Sequence, residues 1–223
     1  MIRENLEILR RELPPEVQLV AVSKFHPVSA IAEAYDAGQR VFAESRPQEL
    51  AAKVEELAQS GACPELEWQF IGHLQTNKLK LVLPYVSLVQ SVDSLHLLKA
   101  INDWGKAAGK VIPVLLELHV AAEDSKQGFF EEEALELLFH AEDYRNIRFR
   151  GLMGMATLTE DRDVVSADFG RIKAFFDYLR ELFPELDGFD QLSIGMSDDY
   201  RVALGFGTTM VRIGTAIFGP REY

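Results

Sequence analysis

Short apolar runs alternate with longer amphipathic stretches along nearly the whole chain. The first 12 residues carry a helical pattern that precedes this alternation. Residues 17–23 (VQLVAVS) then read as a buried strand, followed by a helix over 27–37. Further strands are expected at 40–43, 68–71, 86–92, 111–120, 147–153, 191–194 and 210–213. Between them the pattern predicts helices over 47–59, 76–83, 94–108, 131–143, 163–182 and, short, 197–204. Strands separated by helices pair in parallel through crossovers. Such a sheet is either open and doubly wound or closed. Eight units in 223 residues, with no obvious edge strand, favour closure. The expected fold is therefore α/β, a single-domain (β/α)8 barrel of the TIM type over residues 1–223, with an extra N-terminal helix. Chemistry in such a barrel sits where strands end and βα loops begin.

Composition narrows the picture. The chain is 48% hydrophobic, enough for one sizeable core, and no low-complexity tract or Pro/Gly/Ser linker divides it. Its net charge of −12 disfavours nucleic acid and anionic membranes as partners. The lone Cys63 cannot form an internal disulfide, which fits a reducing compartment. The N-terminus lacks a signal-peptide apolar core, and no apolar run has the length of a membrane helix. A soluble, cytoplasmic monomer is the expectation.

Several polar residues fall at expected strand ends. Lys24 directly follows VQLVAVS; it is either an ordinary strand cap or, partly desolvated at a barrel mouth, an amine suited to Schiff-base chemistry. Past the seventh strand run Ser193, Gly195 and Ser197; Ser197 reads as a helix N-cap, and Gly195 would let backbone approach a ligand. Past the eighth come Gly214 and Thr215. These two loops are either a capped helix plus a tight turn or the place where barrels often build a phosphate site. Arg212 interrupts the apolar run MVRI. It is either ion-paired with a barrel carboxylate such as Glu117 or a donor to a ligand acceptor such as a pyridine nitrogen. His73, past the third strand, is a proton carrier or a loop histidine satisfied by backbone. Met153 and Met155, in a segment taken to follow the sixth strand, read as core fillers or a cofactor wall. Glu117 and His119 alternate on the fifth strand, but spacing places no third metal ligand. Cys63 has no histidine-rich surroundings to activate it.

Together the segments AVSKFHP, FAESRPQEL, FIGHLQTNK, SKQG, GLMGMA, SIGMSDDY and MVRIGTAIFGPREY resemble the pyridoxal phosphate homeostasis protein family, in order and over nearly the whole chain. The resemblance implies a barrel like the N-terminal domain of alanine racemase, of the kind found in fold type III PLP proteins. It implies that Lys24 carries pyridoxal 5′-phosphate (PLP) as an internal aldimine. Ser197, Gly214 and Thr215 would hold the phosphate, Arg212 would face the pyridine nitrogen, and Ser193 and Met155 would lie near the ring. The family's Gly-Glu-Asn is Ala43-Glu44-Ser45 here, so an asparagine contact is shortened or lost and Ser45 takes that place. No sequence after Tyr223 supplies the second domain with the opposite-face base that a two-domain racemase needs. The implied function is non-enzymatic buffering, storage or delivery of PLP, with apo PLP-dependent enzymes as partners. A PLP racemase or lyase using His73 or a partner's base is the alternative. A third reading is a barrel enzyme for a phosphorylated small molecule, with Lys24 forming a Schiff base and no PLP. Lys78 and Lys126 are the fallback anchors should Lys24 not be the covalent one.

Overall fold

The computed structural model describes residues 1–120 and 127–220. Eight parallel strands close in chain order into a barrel. They are β1 (Gln18–Val22), β2 (Val41–Glu44), β3 (Glu67–Phe70), β4 (Val86–Val92), β5 (Ile112–Leu118), β6 (Ile147–Gly154), β7 (Gln191–Met196) and β8 (Met210–Ile213). Closure joins β8 to β1, with Val20 opposite Arg212 and Ala21 opposite Ile213. Around the barrel run α1 (Ile2–Glu12), α2 (Val28–Asp36), α3 (Pro47–Ser60), α4 (Leu95–Ala108), α5 (Glu131–Phe139), α6 (Arg162–Leu182), α7 (Tyr200–Leu204) and α8 (Thr215–Phe218).

Local chemistry explains most boundaries. α3 opens with Pro47, whose missing N–H costs nothing at a helix start, and ends at Gly61 in the left-handed region (φ 65°). The Ser94 hydroxyl accepts from Leu97 N–H at 3.3 Å to start α4, and Gly109 (φ 64°) stops it. Between β3 and β4 the expected α-helix is instead a 3-10 helix, Thr76–Leu81. Leu79 is buried within it, and its C-cap Val82, three residues on, is buried as well, the spacing that stacks in a three-residue turn. The expected helix over 131–143 breaks into α5 and a 3-10 turn, Ala141–Asp143.

The core has two layers. Val20, Val41, Ala43, Leu88, Leu115, Met153 and Met210 fill the barrel. Phe42, Phe70, Leu98, Leu116, Phe169 and Ile213 belong to a larger cluster that packs strands against helices. β6 and β7 approach closely at Gly151 (φ 143°); a Cβ there would stand 1.8 Å from the Gln191 carbonyl oxygen. The extra helix α1 buries Leu6 and packs on α2 and α8. Asn5 Nδ2 donates to Ile217 O at 2.9 Å, and Glu12 accepts from Tyr200 and Arg201. α1 therefore braces the two short helices that follow β7 and β8.

Candidate binding site at the barrel mouth

In a closed parallel barrel every strand's C-terminal end opens on the same mouth. Lys24, Ser45 and Met155 stand just past β1, β2 and β6. Ser197 and Gly214 stand just past β7 and β8, and Thr215 opens α8. Lys24, Ser45, Ser197 and Gly214 are half-buried, whereas Met155 and Thr215 are exposed. Ser193 and Arg212 lie inside β7 and β8 and are buried.

Two expectations change on inspection. Ser197 does not cap α7, whose N-cap position is Asp199. Its hydroxyl instead accepts from Gly214 N–H at 3.3 Å and Ala216 N–H at 3.4 Å, bridging the two loops. Asp199 makes no side-chain cap to the helix; its carboxylate instead reaches back to accept from Met196 N–H at 2.5 Å. Gly195 (φ 98°) has a packing reason of its own, since a Cβ there would meet the Ala203 Cβ at 2.7 Å. Residues 151–154 belong to β6 itself and Ser193 to β7, so neither segment follows its strand.

Arg212 forms no contact ion pair with Glu117 among the described residues. Its Nη1 donates to Ser193 O and Oγ, each at 2.7 Å, and Nη2 donates to Gly154 O at 3.0 Å. Burial pulls its pKa down to about 10, which still leaves it charged at neutral pH. A guanidinium has five N–H donors, so three hydrogen bonds leave capacity for another acceptor. The Ser193 hydroxyl in turn donates to Gln90 Oε1 at 2.7 Å. Gln90 Nε2 then donates to Gln69 Oε1, and Gln69 Nε2 to Gln18 Oε1 at 3.4 Å. Every donor in this chain points away from the arginine, the polarity a fixed cation at one end favours.

Opposite this wall His73 pairs with Asp93 at 2.8 Å and is exposed, satisfied by a carboxylate rather than by backbone. Glu117 is buried, and burial together with the Asp93 carboxylate pushes its pKa up to about 7. His119 Nδ1 contacts Gln127 O at 3.1 Å, and no group of metal-ligating residues forms among the described residues. Burial and Asp36 push the Cys63 thiol up, against thiolate chemistry. Ser125 and Lys126 lie outside the described residues. A cleft of about 780 Å³ beside the mouth is lined by Phe25, Ser45, Arg46, Glu49, His73 and Lys78, among others.

Four residues at or near the mouth escaped the sequence reading. Gln69 and Gln90 interrupt the apolar strands EWQF and VSLVQSV. Glu44 was read only as part of a loop motif, yet it is fully buried. Lys53 occupies the apolar stripe of α3 with Leu50 and Leu57, a lysine at a core position that could have been noticed.

The family model described as alanine racemase, N-terminal domain, matches residues 1–222. The chain is similar to a pyridoxal phosphate homeostasis protein of Vibrio alginolyticus, 40% identical over 100% of this chain and 98% of the relative. It is similar to one of Escherichia coli K12, 41% identical over 94% of this chain and 88% of the relative. Among solved structures it resembles PipY of Synechococcus elongatus PCC7942 with PLP bound, at 36% identity and a TM-score of 0.91, covering 98% of this chain and 100% of that one. An alanine racemase of Clostridium difficile 630 shares the fold at 18% identity and a TM-score of 0.76, covering 100% of this chain and 56% of that one.

Proposed function

Because this chain belongs to the alanine racemase N-terminal domain family and, within it, to the pyridoxal phosphate homeostasis proteins, we propose that it binds PLP and serves PLP homeostasis. The observation that carries this reading is convergence at one mouth: Lys24, the Ser197–Gly214 bridge and the buried Arg212 stand on adjoining strands β1, β7 and β8. The donor set fits the cofactor's three polar features. The Lys24 amine matches its aldehyde and would hold it covalently, with water leaving as the bond forms. The hydroxyls of Ser197 and Thr215, with the backbone N–H groups of Gly214 and Ala216, match its phosphate. Arg212 has spare donors for its ring nitrogen, and Ser193, backed by Gln90, keeps the guanidinium aimed. Met155, Ser45 and His73 line the remaining approach.

When bound, the cofactor supplies an electron sink, strongest with its ring nitrogen protonated. Arg212 can only donate, so it would keep a nitrogen facing it unprotonated and weaken that sink. The chain accordingly acts as a carrier without turnover: a single-domain cytoplasmic monomer that buffers, stores or delivers PLP to apo-enzymes. No helix among the described residues is long and apolar enough to cross a membrane.

The test is peptide mapping of protein mixed with PLP and fixed with borohydride. The label is expected on Lys24, and Lys24→Ala is expected to lose the chromophore while keeping a cooperative melt. Label on Lys78 or Lys126, or none, would overturn the assignment.

A further inference from the structure

Lys24 lies between two residues held by one buried ionic cluster. Behind the β1 end, Lys53 Nζ donates to Ser23 O at 2.8 Å, to Glu44 Oε1 at 2.7 Å and to Glu49 Oε1 at 2.7 Å. The Ser23 hydroxyl donates to the same Glu44 oxygen at 2.6 Å. On the other side of Lys24, Phe25 N–H donates to Glu49 Oε1 at 2.6 Å. The peptide before Lys24 and the peptide after it are thus tied to one ammonium and two carboxylates.

The arrangement is costly, which argues that it does something. Phe25 has φ 67°, the strained left-handed region that a bulky side chain rarely adopts. Its N–H bond to Glu49 and the Arg46 guanidinium, 4.3 Å from its ring centroid, offset that strain. The Lys53 and Glu44 side chains are 8% and 0% exposed, and a buried ion pair is poor value for stability alone. Glu44 Oε2 is buried without a partner among the described residues. Three charges are spent to hold four residues of backbone, Ser23 to His26, in one unusual path.

We propose that Lys53, Glu44 and Glu49 are positioning residues that fix the backbone on both sides of Lys24 and so set where its amine meets the cofactor's aldehyde. They act through Lys24 rather than as the groups that would bond the aldehyde or the phosphate. The inference rests on the PLP-carrier reading.

The experiment separates docking from covalent capture. Pyridoxine 5′-phosphate has the ring and phosphate but no aldehyde, so its affinity reports docking alone. Glu49 is partly exposed, so Glu49→Ala removes the Phe25 tie without stranding a buried charge. Glu49→Ala is expected to bind pyridoxine 5′-phosphate as the unaltered protein does. It is expected to form the borohydride-fixable adduct about tenfold more slowly, since a small misplacement of a reacting group is expensive. Glu49→Gln keeps an acceptor for Phe25 N–H and is expected to recover most of that rate. Lys53→Met combined with Glu44→Gln removes cation and anion together and is expected to slow capture as well. Capture at the unaltered rate in these variants would overturn the proposal. So would a loss of pyridoxine 5′-phosphate binding in proportion to the lost rate, the mark of general disruption. If the unaltered protein forms no adduct at Lys24, the carrier reading itself fails.

Discussion

Glu117, buried on β5, is held far from its ordinary protonation. Its pKa stands near 7 against an ordinary 4.5, chiefly from burial and then from Asp93, with Arg212 and His73 opposing. The folded state therefore holds a proton between about pH 4.5 and about pH 7 that the unfolded chain releases. Its contribution to stability is fully present below that window and lost as pH rises through it. The loss is on the order of 3 kcal/mol. Glu117→Gln removes the titration, so its stability relative to the unaltered protein is expected to improve from pH 5 to pH 7.5. Denaturant melts at both values check this; a difference that does not change with pH would mean that Glu117 is not held protonated. Arg212 illustrates the same physics with another outcome. Neutral oxygens of Ser193 and Gly154 satisfy it in place of a carboxylate, and charge-assisted bonds to such acceptors are worth about 1.5–3 kcal/mol each.

At the scale of elements, strand order was legible because buried parallel strands read as apolar runs and crossover helices as amphipathic ones. All eight strands appear where the alternation places them, within a residue or two. What escaped depends on contacts distant in sequence. Ser197 looks like a cap because serine before a helical run usually is one. Only the fold reveals that Gly214, 17 residues on, brings its N–H to that hydroxyl. The 3-10 helix at Thr76–Leu81 escaped because periods of 3.0 and 3.6 differ little over two turns. Lys53 was legible in principle, as a charge on an apolar stripe, but its partners Ser23 and Glu44 come from two other elements. The β6–β7 junction offers a test at this scale. Gly151→Ala drives a methyl into the Gln191 carbonyl at a φ that alanine avoids, and is expected to cost about 3 kcal/mol or more by chemical denaturation. A loss under 1 kcal/mol would mean that the strands part easily there.

For the whole molecule, ligand binding and folding are linked. A ligand that binds only the native state at a hundred times its dissociation constant adds about 2.7 kcal/mol. For a domain of this size that is about 5–10 °C of melting temperature. PLP is expected to raise the midpoint by that amount, and Lys24→Ala to forfeit most of the gain. An equal shift in both proteins would assign the effect to phosphate docking alone.

The register that sets Val20 against Arg212 joins the first strand to the last. That seam is the one junction of the ring whose two halves lie at opposite ends of the sequence, the contact with the largest loop to close. On the carrier reading, a molecule held by Lys24 on one side and by Gly214 on the other would work as a clasp across it. Cargo and lock are then the same object, and handing the cofactor on would loosen the ring that carried it.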